Sequence, residues 1–225
     1  MSSETQQTPQ RRSPVHETPV VQSGPRPGGA EDPLVWRVVD AGVEATDPAR
    51  LALADLSTLP RMGVKGPDAE EFLRTHGVTP PEAVFQWQEL EGGGLVIRTG
   101  GKEFIVEDGG SGGPVAQMDA DLGFGRTGVY RLEKQDAELA LTGSAALEVL
   151  ERVCTFNFRG HTGAFVFTQM AGGVSCGILP QEKNGSPVYR IWVDFSLGGY
   201  LWDTLYGLVD ELGGGAVGAG WVLEG

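Results

Sequence analysis

Short apolar runs alternate with polar residues along this chain, and glycine punctuates them. LVWRVVD, starting at Leu34, is rich enough in β-branched residues to read as a strand. Residues 67–76 read as a helix. Pro67 suits the first helical position, where its missing N–H costs nothing. Asp68, Glu70 and Glu71 crowd the positive end of the helix dipole, and Gly77 supplies a stop. Residues 95–98 and 103–106 pair as a hairpin around Gly100-Gly101. The run EDGGSGGP, from Glu107, then separates a first half from a second.

The second half follows the same logic. Residues 128–132 and 138–141 read as strands joined by a polar turn. Ser144 is placed to cap a helix whose Ala146, Leu147, Leu150, Val153 and Cys154 fall at helical spacing. Residues 164–168 and 188–195 read as strands, the latter preceded by the type I′ turn signal Asn184-Gly185. The last helix, residues 199–212, carries two apolar stripes. Leu201, Leu205, Leu208 and Leu212 form one, and Trp202, Tyr206 and Val209 form the other, about 100° round the helix. Together they are wider than one sheet face requires. Because aromatic residues are enriched in interfaces, Tyr200, Trp202 and Tyr206 are the candidate partner contacts.

One unit occurs twice. VKGPDAEEFLRTHGV, from Val64, returns as LTGSAALEVLERVCT, from Leu141, at an offset of 77 residues: Gly66 matches Gly143, Ala69 matches Ala146 and Leu73 matches Leu150. A strand–glycine–helix unit cannot bury its apolar face alone, whereas two such units, each with a hairpin, can share a core. The fold class is therefore α+β, one domain over residues 34–225 with halves at about 34–113 and 114–225. Residues 1–33 hold six of the fourteen prolines and few large apolar side chains. They read as a disordered tail, since such a segment cannot offset its ordering entropy.

Composition narrows the function. The net charge of −13 disfavours nucleic acid and anionic membranes as partners. Two cysteines, Cys154 and Cys176, make no disulfide framework, and His16, His76 and His161 lie too far apart in sequence to suggest a zinc site. Cys154 reads as a small buried hydrophobe. Cys176 has no flanking cation to activate it and reads as buried and inert. The glycine clusters fit neither GxGxxG nor GxxxxGK[ST], and no GxSxG elbow occurs. Asn184-Gly185-Ser186 matches a glycosylation sequon, but no secretory segment precedes it. With no apolar run long enough to span a bilayer, the default expectation is a cytoplasmic protein.

The stretches DLSTLPRMGVKGPDAEEFL, LALTGSAALEVLERVCTFNF and YRIWVDFSLGGYLWDTLYGLVDELG resemble the gamma subunit of heterotetrameric sarcosine oxidase. That subunit belongs with the aminomethyltransferase (T-protein) group of folate-binding proteins. The resemblance covers about residues 51–212. It implies a folate-binding-type domain, two pseudo-repeated strand–helix halves, working beside alpha, beta and delta subunits in the oxidation of sarcosine or related N-methylated amines. It also implies that FAD, FMN, NAD, zinc and tetrahydrofolate belong to the other subunits, with none held by this chain alone. In the aminomethyltransferases, Gly-Gly followed by an acidic pair supplies a catalytic carboxylate. The corresponding MAGGVSCGILP has Ser175 and Cys176 there, and a thiol cannot do a carboxylate's work. Asp194 and Asp203 lie nearby without a catalytic spacing. The KGCYxGQE-like signature of the iron–sulfur maturation relatives is absent. The expectation is a non-catalytic subunit. A stand-alone folate-binding protein or one-carbon transferase is the alternative, and an α+β scaffold unconnected with amine oxidation is the third reading.

Overall fold

The computed structural model describes residues 13–15, 21–22, 37–38, 47–123 and 125–224. In chain order its elements begin with a two-residue antiparallel pair, β1 (Val21–Gln22) with β2 (Arg37–Val38). There follow β3 (Ala52–Asp55), β4 (Arg61–Lys65), α1 (Ala69–Thr75), β5 (Trp87–Glu89), β6 (Leu95–Gly100), β7 (Glu103–Glu107) and α2 (Val115–Gly123). The remainder comprises β8 (Tyr130–Leu132), β9 (Ala137–Thr142), α3 (Ala146–Val153), β10 (Val166–Met170), β11 (Val174–Lys183), β12 (Ser186–Val193), α4 (Gly198–Glu211), β13 (Gly215–Ala216) and α5 (Ala219–Glu224). Of the strand expected from Leu34, Arg37–Val38 is seen, and its other residues lie outside the described ones. So does most of the expected tail, of which Ser13–Val15 and Val21–Gln22 are described. Val15 is in the main core, Pro14 packs on Gly198, and Ser13 and Ser57 hydrogen-bond the buried Asp55 carboxyl.

Two sheets result. One has the order β5-β6-β7-β4-β8 and the other β10-β11-β12-β9-β3-β13, antiparallel except for the β13–β3 pair. Strand alternation sends side chains to opposite faces. In the first sheet Met62, Val64, Val96, Phe104 and Val106 face α1 and α2, meeting Phe72, Leu73 and Met118. In the second, Leu53, Leu139, Leu141 and Ile191 face α3 and α4, meeting Val149, Leu150, Leu201 and Trp202. The opposite faces meet each other through Leu95, Ile97, Phe165, Leu179 and Trp192. The architecture is helix, sheet, sheet, helix, in four layers.

The repeat is real, and it is exchanged. The expected turn between β8 and β9 does not make them a hairpin: β8 pairs with β4, while β9 pairs with β12 and β3. Residues 133–136 carry the chain from one sheet to the other. β3, ahead of the first unit, docks in the sheet of the second, and β8 returns the exchange. The matched glycines make it possible. Gly66 has φ +129 and Gly143 φ +106. A Cβ on Gly66 would stand 2.2 Å from the carbonyl oxygen of Gly128, just ahead of β8. One on Gly143 would stand 2.5 Å from that of Arg50, just ahead of β3.

The backbone bonds repeat likewise. Gly66 N–H donates to Lys102 (3.0 Å) as Gly143 N–H does to Pro187 (3.0 Å), and Asp68 N–H donates to Gly128 (3.1 Å) as Ala145 N–H does to Arg50 (2.9 Å). The carbonyl of the incoming strand thus takes a free N–H at the start of each helix. That displaces the expected Ser144 cap: the helix begins after Ala145, which makes no side-chain cap. The Asn184-Gly185 turn is as expected, with positive φ at both residues (50° and 75°), and so is the 95–100/103–107 hairpin.

Between the sheets lie four buried charges. Arg61 on β4 meets Glu107 through Nε (2.8 Å) and Glu138 on β9 through Nη2 (2.6 Å). Arg190 on β12 meets Glu138 through Nε (2.6 Å) and also pairs with Glu107 on β7. Arg61 further donates to the carbonyls of Asp136 (2.7 Å) and Leu56 (3.1 Å), and Arg190 to that of Gly93 (3.3 Å). All four side chains are 0–2% exposed. Breaking such a pair from one side strands a buried charge, at about 3–5 kcal/mol, whereas replacing both partners with apolar groups of similar volume is often near neutral. Arg61→Met is therefore expected to cost about 3–5 kcal/mol in denaturant unfolding, and Arg61→Met/Glu138→Leu less than the sum of the two singles. Additive losses in this double-mutant cycle would mean that the pair is not coupled.

Candidate functional site

Where the two sheets end together, a cleft of about 200 Å³ opens. β11 supplies Ser175, Cys176 and Gly177. β12 and the residue after it supply Trp192, Val193 and Asp194. Ile105 and Glu103 come from β7, Thr99 from β6, and Lys134 and Asp136 from the crossover between the sheets. Phe165 and Phe167 form the outer wall, edge to face at 4.9 Å. Gly177 is required here, because a Cβ would come within 2.2 Å of the Phe165 ring. The stretch singled out around Met170 thus reaches a cleft between the two repeats, and Ser175 and Cys176 are on it.

Their chemistry is quiet. Cys176 is 4% exposed, and its thiol lies 3.8 Å from the Thr168 carbonyl, which it faces as donor. Burial, with Cys154 adding to it, pushes its pKa up to about 12, so it stays protonated. Asp194 is ionised: hydrogen bonds from the Ser196 hydroxyl and N–H hold its carboxyl below the usual range. That carboxylate caps the 3-10 turn at Phe195–Leu197 rather than aiming at a substrate. Asp203 is on the exposed side of α4, away from this cleft. Ligand pockets usually begin at about 300 Å³, so neither the volume of this cleft nor its thiol suits a folate ring.

The buried quartet has its own electrostatics. Burial is the largest influence on both of its carboxyls. At Glu107 the nearby Arg190 and Arg61 outweigh it and hold the carboxyl below the usual range. At Glu138 burial wins, reinforced by the charge of Glu107, and the carboxyl is held above that range. Sequence reading passed over these four residues. The one available signal was that the 77-residue offset carries Arg61 onto Glu138, opposite charges at matched positions of apolar strands.

The candidate contacts on α4 separate. Tyr200 is half exposed, with its hydroxyl over Gly172. Trp202 is 0% exposed, so its indole belongs to the core and offers no surface. Tyr206 is half-buried and stacks on Trp202 (6.1 Å, 3° between planes). The second stripe is wide because α4 touches α3 as well as β3 and β9, so two of its sides are covered. The larger exposed aromatic is Phe167, 63% exposed and 5.9 Å from the exposed Phe85. Pattern reading missed it because it lies on an edge strand.

No known family profile matches the chain, and no curated protein matches it significantly. Solved structures do. A chain of heterotetrameric sarcosine oxidase from Corynebacterium sp. U-96 superposes with a TM-score of 0.60 at 19% identity, over 79% of this chain and 92% of that one. The glycine cleavage system aminomethyltransferase T from Bartonella henselae superposes with a TM-score of 0.59 at 16% identity. That match takes in 91% of this chain and 57% of the transferase, so the chain spans little more than half of that enzyme. The chain has the aminomethyltransferase-type fold. The α+β expectation, with two repeated halves and antiparallel hairpins, holds within it. No helix among the described residues is long and apolar enough to cross a membrane.

The state of Cys176 can be read directly. A thiol reagent at about pH 8 is expected to modify the half-buried Cys154 first and to reach Cys176 only on unfolding. Rapid native modification of Cys176, located by peptide mass mapping, would show an activated thiol in the cleft.

Proposed function

We propose that this chain is a non-catalytic, gamma-type subunit of a heteromeric flavin-dependent oxidase or dehydrogenase acting on sarcosine or a related N-methyl amino acid. It supports oxidative demethylation coupled to one-carbon transfer to tetrahydrofolate. One observation carries the reading: the match to a chain of heterotetrameric sarcosine oxidase takes in 92% of that chain, so the two have similar extents. The cleft supports it. Where the aminomethyltransferases, by the resemblance, carry a reactive acidic pair, this chain has an exposed serine and a buried, protonated thiol.

On this reading the partners are alpha-, beta- and delta-type subunits, in a soluble cytoplasmic assembly. FAD, FMN, NAD, zinc and tetrahydrofolate are held by those subunits. Tyr200 and Phe167, exposed at different places on the second sheet and its helix, are among the surface aromatics available to them, and Phe85, Tyr130, Phe195 and Trp221 are exposed as well. Tyr206 offers only part of its ring.

Co-expression with genomically adjacent flavoprotein subunits is expected to yield a stoichiometric complex by size-exclusion chromatography and native mass spectrometry. The isolated chain is expected to give no heat with tetrahydrofolate in calorimetry. A chain that never co-purifies, or that binds tetrahydrofolate by itself, would replace this reading with that of a stand-alone folate-binding protein.

A further inference from the structure

The cleft at Cys176 is small for a ligand but sized for a side chain. At about 200 Å³ it falls short of small-molecule pockets, whereas the hot spots of protein interfaces are single large side chains seated in well-packed pockets of the partner. Exposed apolar side chains gather at its mouth. Phe167 lines it, Phe85 meets Phe167 edge to face, Val84 precedes Phe85, and Phe195 follows the lining Asp194; all four are 41–63% exposed. A partner cannot add a strand here. The outer edge of β10 is taken at both ends, by the Phe165 N–H donating to the Phe85 carbonyl (2.9 Å) and by the Thr155 N–H and hydroxyl donating to that of Gln169 (3.0 and 3.1 Å). Insertion of a side chain remains.

The register shows what meets in the cleft. Phe167 stands opposite Gly177, Gly177 opposite Trp192 and Trp192 opposite Glu138, in one row on the face turned to the first sheet. Asp194 and Asp136, two residues beyond Trp192 and Glu138, fall side by side on that same face. Aromatic walls and carboxylates therefore converge. Glu103, Asp136 and Asp194 are set against one lysine, Lys134, so the lining is net negative on a chain of net charge −13. Both hydrogen bonds from Ser196 fall on Oδ1 of Asp194, and the carboxylate of Asp136 makes none among the described residues, so both can accept further donors. A lysine would answer the charge alone. An arginine answers charge and walls together, because its planar guanidinium is weakly hydrated, stacks on aromatic rings and donates to carboxylates in a fork. Trp192 already holds Arg190 at 5.5 Å from its ring centre, so Phe167 offers the open aromatic surface.

We propose that this cleft seats an arginine side chain presented by a partner subunit. Its aliphatic stem lies along Ile105, its guanidinium against Phe167, and its N–H groups donate to Asp136 and Asp194. That the arginine comes from a partner subunit rests on the proposed function; the preference for arginine rests on the cleft alone.

The probe is N-acetyl-L-argininamide, titrated into the full chain and followed by NMR at the Ile105 methyl groups, assigned with Ile105→Val. A saturable shift at millimolar concentration is expected. The citrulline analogue, which keeps the shape and loses the charge, should bind about tenfold more weakly, and the lysine analogue about threefold. Phe167→Ala and Asp136→Asn should each weaken binding by about threefold. Should Phe167→Ala not fold, Asp136→Asn carries the test alone. In the complex with co-expressed flavoprotein subunits, the two substitutions together should raise the dissociation constant by about tenfold or more. Failure of the arginine probe to saturate, equal binding of the citrulline or lysine analogue, or a complex as tight with the folded variant would overturn the proposal. A wild-type chain that forms no complex would remove the subunit role, and the titration would still decide what the cleft holds.

Discussion

A buried quartet of charges holds the two halves of this protein in one register. Arg61 and Glu107 come from one sheet, Glu138 and Arg190 from the other, and each arginine touches both carboxylates. Water cannot replace a lost partner, so the sheets can neither slide nor part without exposing unpaired charge to an apolar interior. The matched positions 61 and 138 touch each other at 2.6 Å. A residue and its repeat equivalent meet only close to the axis relating the two units. The quartet therefore marks the centre of the pseudo-symmetric body, where self-complementarity is demanded. Opposite charges at the equivalent positions satisfy that demand, whereas two like charges would not.

Strand exchange makes the same point through the backbone. Each sheet is completed by a strand from the far side of the other unit, and each exchanged strand ties its carbonyl to a helix start beside a glycine of positive φ. A single unit would lack a strand of its sheet, β8 at the edge of one and β3 next to the edge of the other. The duplication is thus a requirement of the core, which answers why a 225-residue chain uses one motif twice.

Much of this was legible. The offset glycines, the hairpin around Gly100 and the Asn184-Gly185 turn are local chemistry, fixed by φ and by loop length, and sequence reading found them. So did the resemblance that implied the fold. What escaped was non-local. The partner of β8 cannot be read from its own residues, and the local pattern favoured a hairpin with its sequence neighbour β9. Ser13–Val15 belongs to a stretch with few large apolar residues, yet Val15 is fully buried. Trp202 looked like surface because one helix face was assumed to be buried, and α4 buries two. At the cleft, Ser175 and Cys176 could be singled out because MAGGVSCG is a continuous stretch, and both line the cleft. Phe167 and the charges at 61, 107, 138 and 190 act through partners distant in sequence.

The central claim is that the two repeats form one cooperative body, exchanged and charge-locked, rather than two adjoining modules. Native-state hydrogen exchange tests it most directly. The account predicts that the slowest amides of β4 and β7 and those of β9 and β12 open with one common free energy, equal to that of global unfolding. Two distinct plateaus, with one sheet opening while the other stays protected, would contradict it.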